Sequence, residues 1–64
     1  MEAIEKAIEA AYQAEIINLY KVFFDGMLTA KDNESMGKDV QERFKAGLER
    51  AAVIHSKARA LAGV

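Results

Sequence analysis

The chain has no cysteine and no proline. Without cysteine there is neither a disulfide framework nor a thiolate-bound metal cluster. Without proline, nothing of that kind stops or kinks a helix. An excess of one charge is also missing. Nine Lys and Arg stand against ten Asp and Glu, a formal net charge of −1, which removes the electrostatic case for a protein built around nucleic acid or an anionic membrane. No apolar run is long and uninterrupted enough to span a bilayer. Met1 leads straight into Glu2, Glu5 and Lys6 with no apolar signal segment. Lack of a signal and of cysteine gives a cytoplasmic expectation. No nucleophile–base pair, glycine-rich phosphate loop or paired-carboxylate motif is present. The expectation is therefore no enzymatic activity and no cofactor.

What remains is 64 residues, 52% of them hydrophobic and rich in Ala, Glu, Lys, Leu and Ile, an all-helical composition. That length makes one domain, near the size at which a single chain struggles to build a sufficient core. With no disulfide or metal motif to staple the fold, oligomerisation is the remaining common remedy.

Residues 16–28 organise the rest, holding two of the three phenylalanines, Phe23 and Phe24, and one of the two tyrosines. Wound as a helix, this stretch is apolar over most of its circumference, with Asn18, Lys21 and Asp25 as a narrow polar strip. A helix apolar nearly all round is buried on more than one side, and a chain this short covers one side only. A first helix is expected over about residues 2–30, opened by Glu2, Glu5 and Glu9 at the positive end of its dipole. Gly26 allows an earlier end at Asp25-Gly26, but Met27 and Leu28 continue the pattern. The helix carries two opposed apolar rows. One is Ala3, Ala7, Ala10, Ala14, Ile17, Phe24 and Leu28. The other is Ile4, Ile8, Tyr12, Ile16, Leu19 and Phe23, with Met27 drifting off its end.

Residues 31–35 form the one polar run without periodicity, and Asp32, Asn33 and Ser35 are all N-cap residue types. A second helix follows over about residues 36–62. Its seam is Val40, Phe44, Gly47, Ala51, Ile54, Ala58 and Leu61, flanked by Leu48 and His55, with Lys38, Glu42, Lys45, Glu49, Ser56 and Arg59 outside. Gly63 sits where a C-cap glycine belongs. The short connection makes the helices antiparallel neighbours. Matching the alanine-rich row to this seam sets Phe24 by Val40, Ile17 over Gly47, Ala14 by Ala51, Ala10 by Ile54, Ala7 by Ala58 and Ala3 by Leu61. The other row, Ile4, Ile8, Tyr12, Ile16, Leu19, Phe23 and Met27, is then uncovered and becomes the expected oligomer interface. The expected fold is an all-α helical hairpin, one domain over residues 1–64, that dimerises into a four-helix bundle.

Few residues suggest chemistry. His55 is the single histidine and has no Glu-x-x-His partner, so it reads as a partly buried structural residue rather than a ligand or base. Glu5 and Glu9 are one turn apart, as two carboxylate ligands would be, but a solvated helix start explains them as well. No metal site is expected. Arg43, Arg50 and Lys57 recur every seventh residue along one edge of the second helix. They form either a basic ridge for phosphates or long stems covering the seam and paired with acids. The interspersed Asp39, Glu42 and Glu49 favour the second. In size and in its two long helices, the architecture resembles the Rop-type RNA-binding helical-hairpin dimers, which makes the ridge a nucleic-acid alternative. The leading expectation is a small regulatory or adaptor protein, partnered with itself and with another protein.

Overall fold

The computed structural model describes residues 2–64 as two antiparallel helices, α1 (Glu2–Ala30) and α2 (Glu34–Ala62), with no strand among them. Each is 29 residues long, about 43 Å at 1.5 Å per residue. The Cα trace measures 48 × 15 × 7 Å. The hairpin is thus a single layer two helices wide. No helix among the described residues is long and apolar enough to cross a membrane.

Local chemistry sets the ends. α1 passes through Gly26 without a break and stops at Lys31, whose φ of 49° is left-handed. There the Lys31 N–H donates to the Met27 carbonyl at 3.1 Å, and the Asn33 N–H donates to the Ala30 carbonyl at 2.8 Å. Of the three N-cap candidates, Asn33 does the work. Its extended backbone (φ −81°, ψ 98°) lets the side-chain oxygen accept from the Met36 N–H at 3.0 Å, satisfying one of the orphan donors of the first turn. Helix α2 therefore starts at Glu34, two residues before the sequence pattern suggests, because Ser35 is inside the first turn rather than ahead of it. At the far end Gly63 takes φ 76°, and the N–H groups of Gly63 and Val64 close onto the carbonyls of Ala60 and Arg59, the glycine cap anticipated for it.

The register and the inward face of α1 differ from expectation. Leu19, not Ile17, lies over Gly47, where a Cβ would stand 2.7 Å from Leu19 Cδ2. Val40 lies over Gly26 rather than beside Phe24, and a Cβ on Gly26 would meet Val40 Cγ1 at 2.8 Å. Phe23 stacks on Phe44 with centroids 4.5 Å apart, and Tyr12 stacks on His55 at 4.1 Å. The row expected to face a second copy, namely Ile8, Tyr12, Ile16, Leu19, Phe23 and Met27, is partly buried on the side of α1 that meets α2, while Ile4 stays exposed. The alanine-rich row, with Ile17, Phe24 and Leu28, is exposed.

Two physical reasons favour this choice. Burial is worth roughly 25 cal/mol per Å² of apolar surface, so a row of Ile, Leu, Tyr and Phe gains far more from an inward position than a row of alanines. The glycines then complete the fit. Gly26 and Ala30 fall in line with Leu19 and Phe23, and Gly47 lies opposite, so each helix offers a hole to the other's large side chain.

Candidate functional site

Three features of the hairpin stand out: a polar cluster at its open end, a groove along one face, and an apolar flank on α1.

The polar cluster is built from two pairs spaced one helical turn apart, Glu5 and Glu9 on α1 and His55 and Arg59 on α2. At that spacing each pair projects from one side of its helix. Nη1 of Arg59 donates to Glu9 Oε1 at 2.7 Å, and Nη2 donates to Glu5 Oε2 at 3.3 Å. His55 Nε2 donates to the same Glu9 Oε1 at 2.9 Å while its ring lies on Tyr12. The hydrogen bond from His55 and then that from Arg59 hold the Glu9 carboxyl below the ordinary glutamate value of 4.5, against the opposing effect of burial. Arg59 thus leaves the outer surface expected for it, and Glu5 and Glu9 leave the solvated helix start. The signal was present as two complementary pairs four residues apart, but they align only once Tyr12 rather than Ala10 faces inward. Among the described residues no group of three or more His, Cys, Asp or Glu is placed to hold a metal ion. The cluster's chemistry is that of a polar clasp.

The clasp has a pH signature. Because the folded state lowers the Glu9 pKa, its stabilising contribution is fully present above the unfolded value near 4.5. It is lost as pH falls through the lower folded value. Thermal unfolding below pH 4.5 should therefore show an acid-limb loss that Glu9→Gln flattens; an identical acid limb in the variant would remove Glu9 as its cause.

The groove runs between the helices on one face, with a volume of about 460 Å³. Ile8, Tyr12 and Leu19 from α1 and Gly47, Ala51 and Ile54 from α2 line it, with Glu15 and Arg50 on its opposite walls. On a helical wheel this face also carries exposed Ile4, Val22, Met36 and Leu61. The expected ridge lies along its α2 edge. There Arg43 pairs with Asp39 of the same helix at 2.9 Å, Arg50 lines the groove, and Lys57 is exposed.

The third feature is the flank of α1 turned away from the groove. Ile17, Tyr20, Phe24 and Leu28 are each half or more exposed there, and the Tyr20 ring lies 6.2 Å from Phe24 and 6.5 Å from Phe23. Lys21 and Asp25 border Tyr20 and Phe24.

No family model matches the chain, and no curated protein or solved structure matches it either. Function rests on geometry.

Proposed function

We propose that this protein is a small, non-enzymatic regulatory or adaptor protein that works through protein–protein contacts as a homo-oligomer. The observation that carries this reading is how little the hairpin buries. Among the described residues the one buried apolar residue is Ala30, and no large side chain is fully buried. A two-helix layer has no second layer to close its core, and domains need at least two packed layers. The accessible surface is 5054 Å², whereas a compact monomer of 7.1 kDa exposes about 4,100 Å². The exposed surface includes Ile17, Val22, Phe24, Leu28, Ile54 and Leu61, each half or more exposed, and clustered apolar exposure of this kind marks an interaction site. The separate aromatic flank of Ile17, Tyr20, Phe24 and Leu28 has the residue types that anchor another protein.

The alternative, a nucleic-acid-binding hairpin dimer, draws support from the shared edge of Arg43, Arg50 and Lys57. The Arg43–Asp39 pair and the net charge of −1 weigh against it. Salt-dependent retention on heparin or RNA would favour that alternative. For the leading reading, melting followed by circular dichroism should rise with protein concentration, as it does when association stabilises the fold. Light scattering should then give a mass of two or more chains. A monodisperse monomer with concentration-independent melting would overturn it.

A further inference from the structure

We infer that the groove face is the site of a second copy of this chain. The copy is related by a half turn about an axis parallel to the helices, so that α1 of each lies on α2 of the other and Glu15 of each meets Arg50 of the other. The inference rests on the homo-oligomer reading above and assigns its face and symmetry.

Area supports a second copy as the occupant. The excess over a compact monomer of this mass is roughly 1,000 Å², close to the about 800 Å² per partner that a stable interface removes.

Spacing marks the face. Beside the seam that joins the hairpin, and sharing Ile8 with it, α1 repeats at intervals of four and three through Ile4, Ile8, Ala11, Glu15, Asn18 and Val22. Helix α2 does the same from Met36 to Leu61, sharing Val40 and Gly47 with the hairpin seam and carrying Arg43, Arg50 and Lys57 at every seventh position. Intervals of four and three define the seam of packed antiparallel or parallel helices. Each helix thus has two such seams about a quarter turn apart, as a four-helix bundle requires.

Charge fixes the symmetry. On the groove face the cations Arg43, Arg50 and Lys57 all belong to α2, while Glu15 belongs to α1. Laying α2 on α2 would set two cationic rows together, which is repulsive in an apolar setting. Laying α1 on α2 sets an acid against a base. The levels also agree. Tyr12 stacks on His55 and Leu19 lies over Gly47, which puts Glu15 level with Arg50 and Ala51, and a half turn about an axis parallel to the helices preserves level. Glu15 and Arg50 both line the groove, and among the described residues neither has an ion-pair partner within its own hairpin.

The test is charge exchange in the full chain, read by sedimentation and native mass spectrometry. Glu15→Arg and Arg50→Glu, each alone, should weaken self-association at least tenfold, since each sets like charges together twice in the symmetric dimer. An equimolar mixture of the two variants should recover a one-to-one heterodimer as tight as wild type, because both crossed contacts then join opposite charges. An ion pair within one hairpin predicts no recovery on mixing. Loss of folding in either variant leaves this readout intact, since recovery of helix on mixing reports the same contact. Variants that self-associate as tightly as wild type, or a mixture that fails to recover, would overturn the assigned face while the homo-oligomer reading stands. A monomeric wild type would overturn both.

Discussion

Phe23→Asp is expected to abolish the folded hairpin, and Phe24→Asp, one residue along, to leave it folded. The two side chains are chemically identical and adjacent, yet they occupy opposite environments. Phe23 is partly buried and stacks on Phe44 across the hairpin, with centroids 4.5 Å apart and planes inclined by 23°. Phe24 belongs to the outward row and is 50% exposed. Removing a core phenylalanine costs roughly 3–5 kcal/mol, the stack adds about 0.5–1.5 kcal/mol beyond area, and an unpaired carboxylate in its place adds desolvation. Partial exposure of Phe23 lowers the first figure. A chain of 64 residues has only about 3–10 kcal/mol in total, at roughly 0.05–0.15 kcal/mol per residue, so the loss is comparable to everything available. Phe24→Asp removes apolar surface that water already touches, and it should leave helicity and melting near wild type. Circular dichroism of the two variants at several concentrations decides the matter. The reverse ranking would put the alanine-rich row back inside.

That ranking also locates what the sequence did and did not make legible. The two helices, the turn near Asp32-Asn33 and the Gly63 cap were readable because each depends on residues close in sequence: unbroken periodicity, an Asn side chain within reach of an N–H three residues on, and a glycine at a left-handed position. The face that α1 turns inward depends on matching two surfaces, and both of its rows have helical periodicity. A close-packing preference for small residues pointed to Ala3, Ala7, Ala10 and Ala14. Side-chain volume pointed the other way and prevailed. The deciding signal was Gly26, which periodicity alone presents as a weak point near the end of the helix. In line with Leu19, Phe23 and Ala30, it is the hole that receives Val40.

The same choice of face explains the clasp. With Tyr12 turned inward, Glu5 and Glu9 come with it, and His55 and Arg59 are the groups at their level on α2. The outward row is then free at Ile17, Tyr20, Phe24 and Leu28. The groove, in turn, takes Ile8, Tyr12 and Leu19 from the inward row and adds Ala11 and Glu15, which belong to neither row. Helix α1 therefore has three surfaces, the first two adjoining at Ile8, Tyr12 and Leu19: one folds the hairpin, one accepts a second copy, and one offers aromatic side chains to another protein. The first is in the structure, while the second and third are the proposals made above.

Gly26→Ala is expected to destabilise the protein even though alanine is the best helix former. Propensity favours the substitution by about 1 kcal/mol. The added Cβ, however, would stand 2.8 Å and 3.0 Å from the two methyls of Val40 and 3.5 Å from its Cβ. Valine in a helix has essentially one χ1 rotamer, so it cannot swing clear, and the helices must separate instead. Overpacking of this kind costs roughly 1–3 kcal/mol, leaving a net loss of up to about 2 kcal/mol, which at about 4–8 °C per kcal/mol is a clear fall in melting temperature. Gly47→Ala presents a similar distance, 2.7 Å, but to the terminal Cδ2 of Leu19, with the rest of that side chain beyond 3.5 Å. Leu19 borders the groove and has room to rotate, so this substitution should be nearly neutral. Gly47→Leu needs the whole volume that Leu19 occupies and should be destabilising. The decisive variant is Gly26→Ala combined with Val40→Ala. Removing the valine methyls removes the clash, so the pair should melt higher than the sum of the two single effects allows. Simple additivity would mean that Gly26 is needed for some reason other than the space it gives Val40.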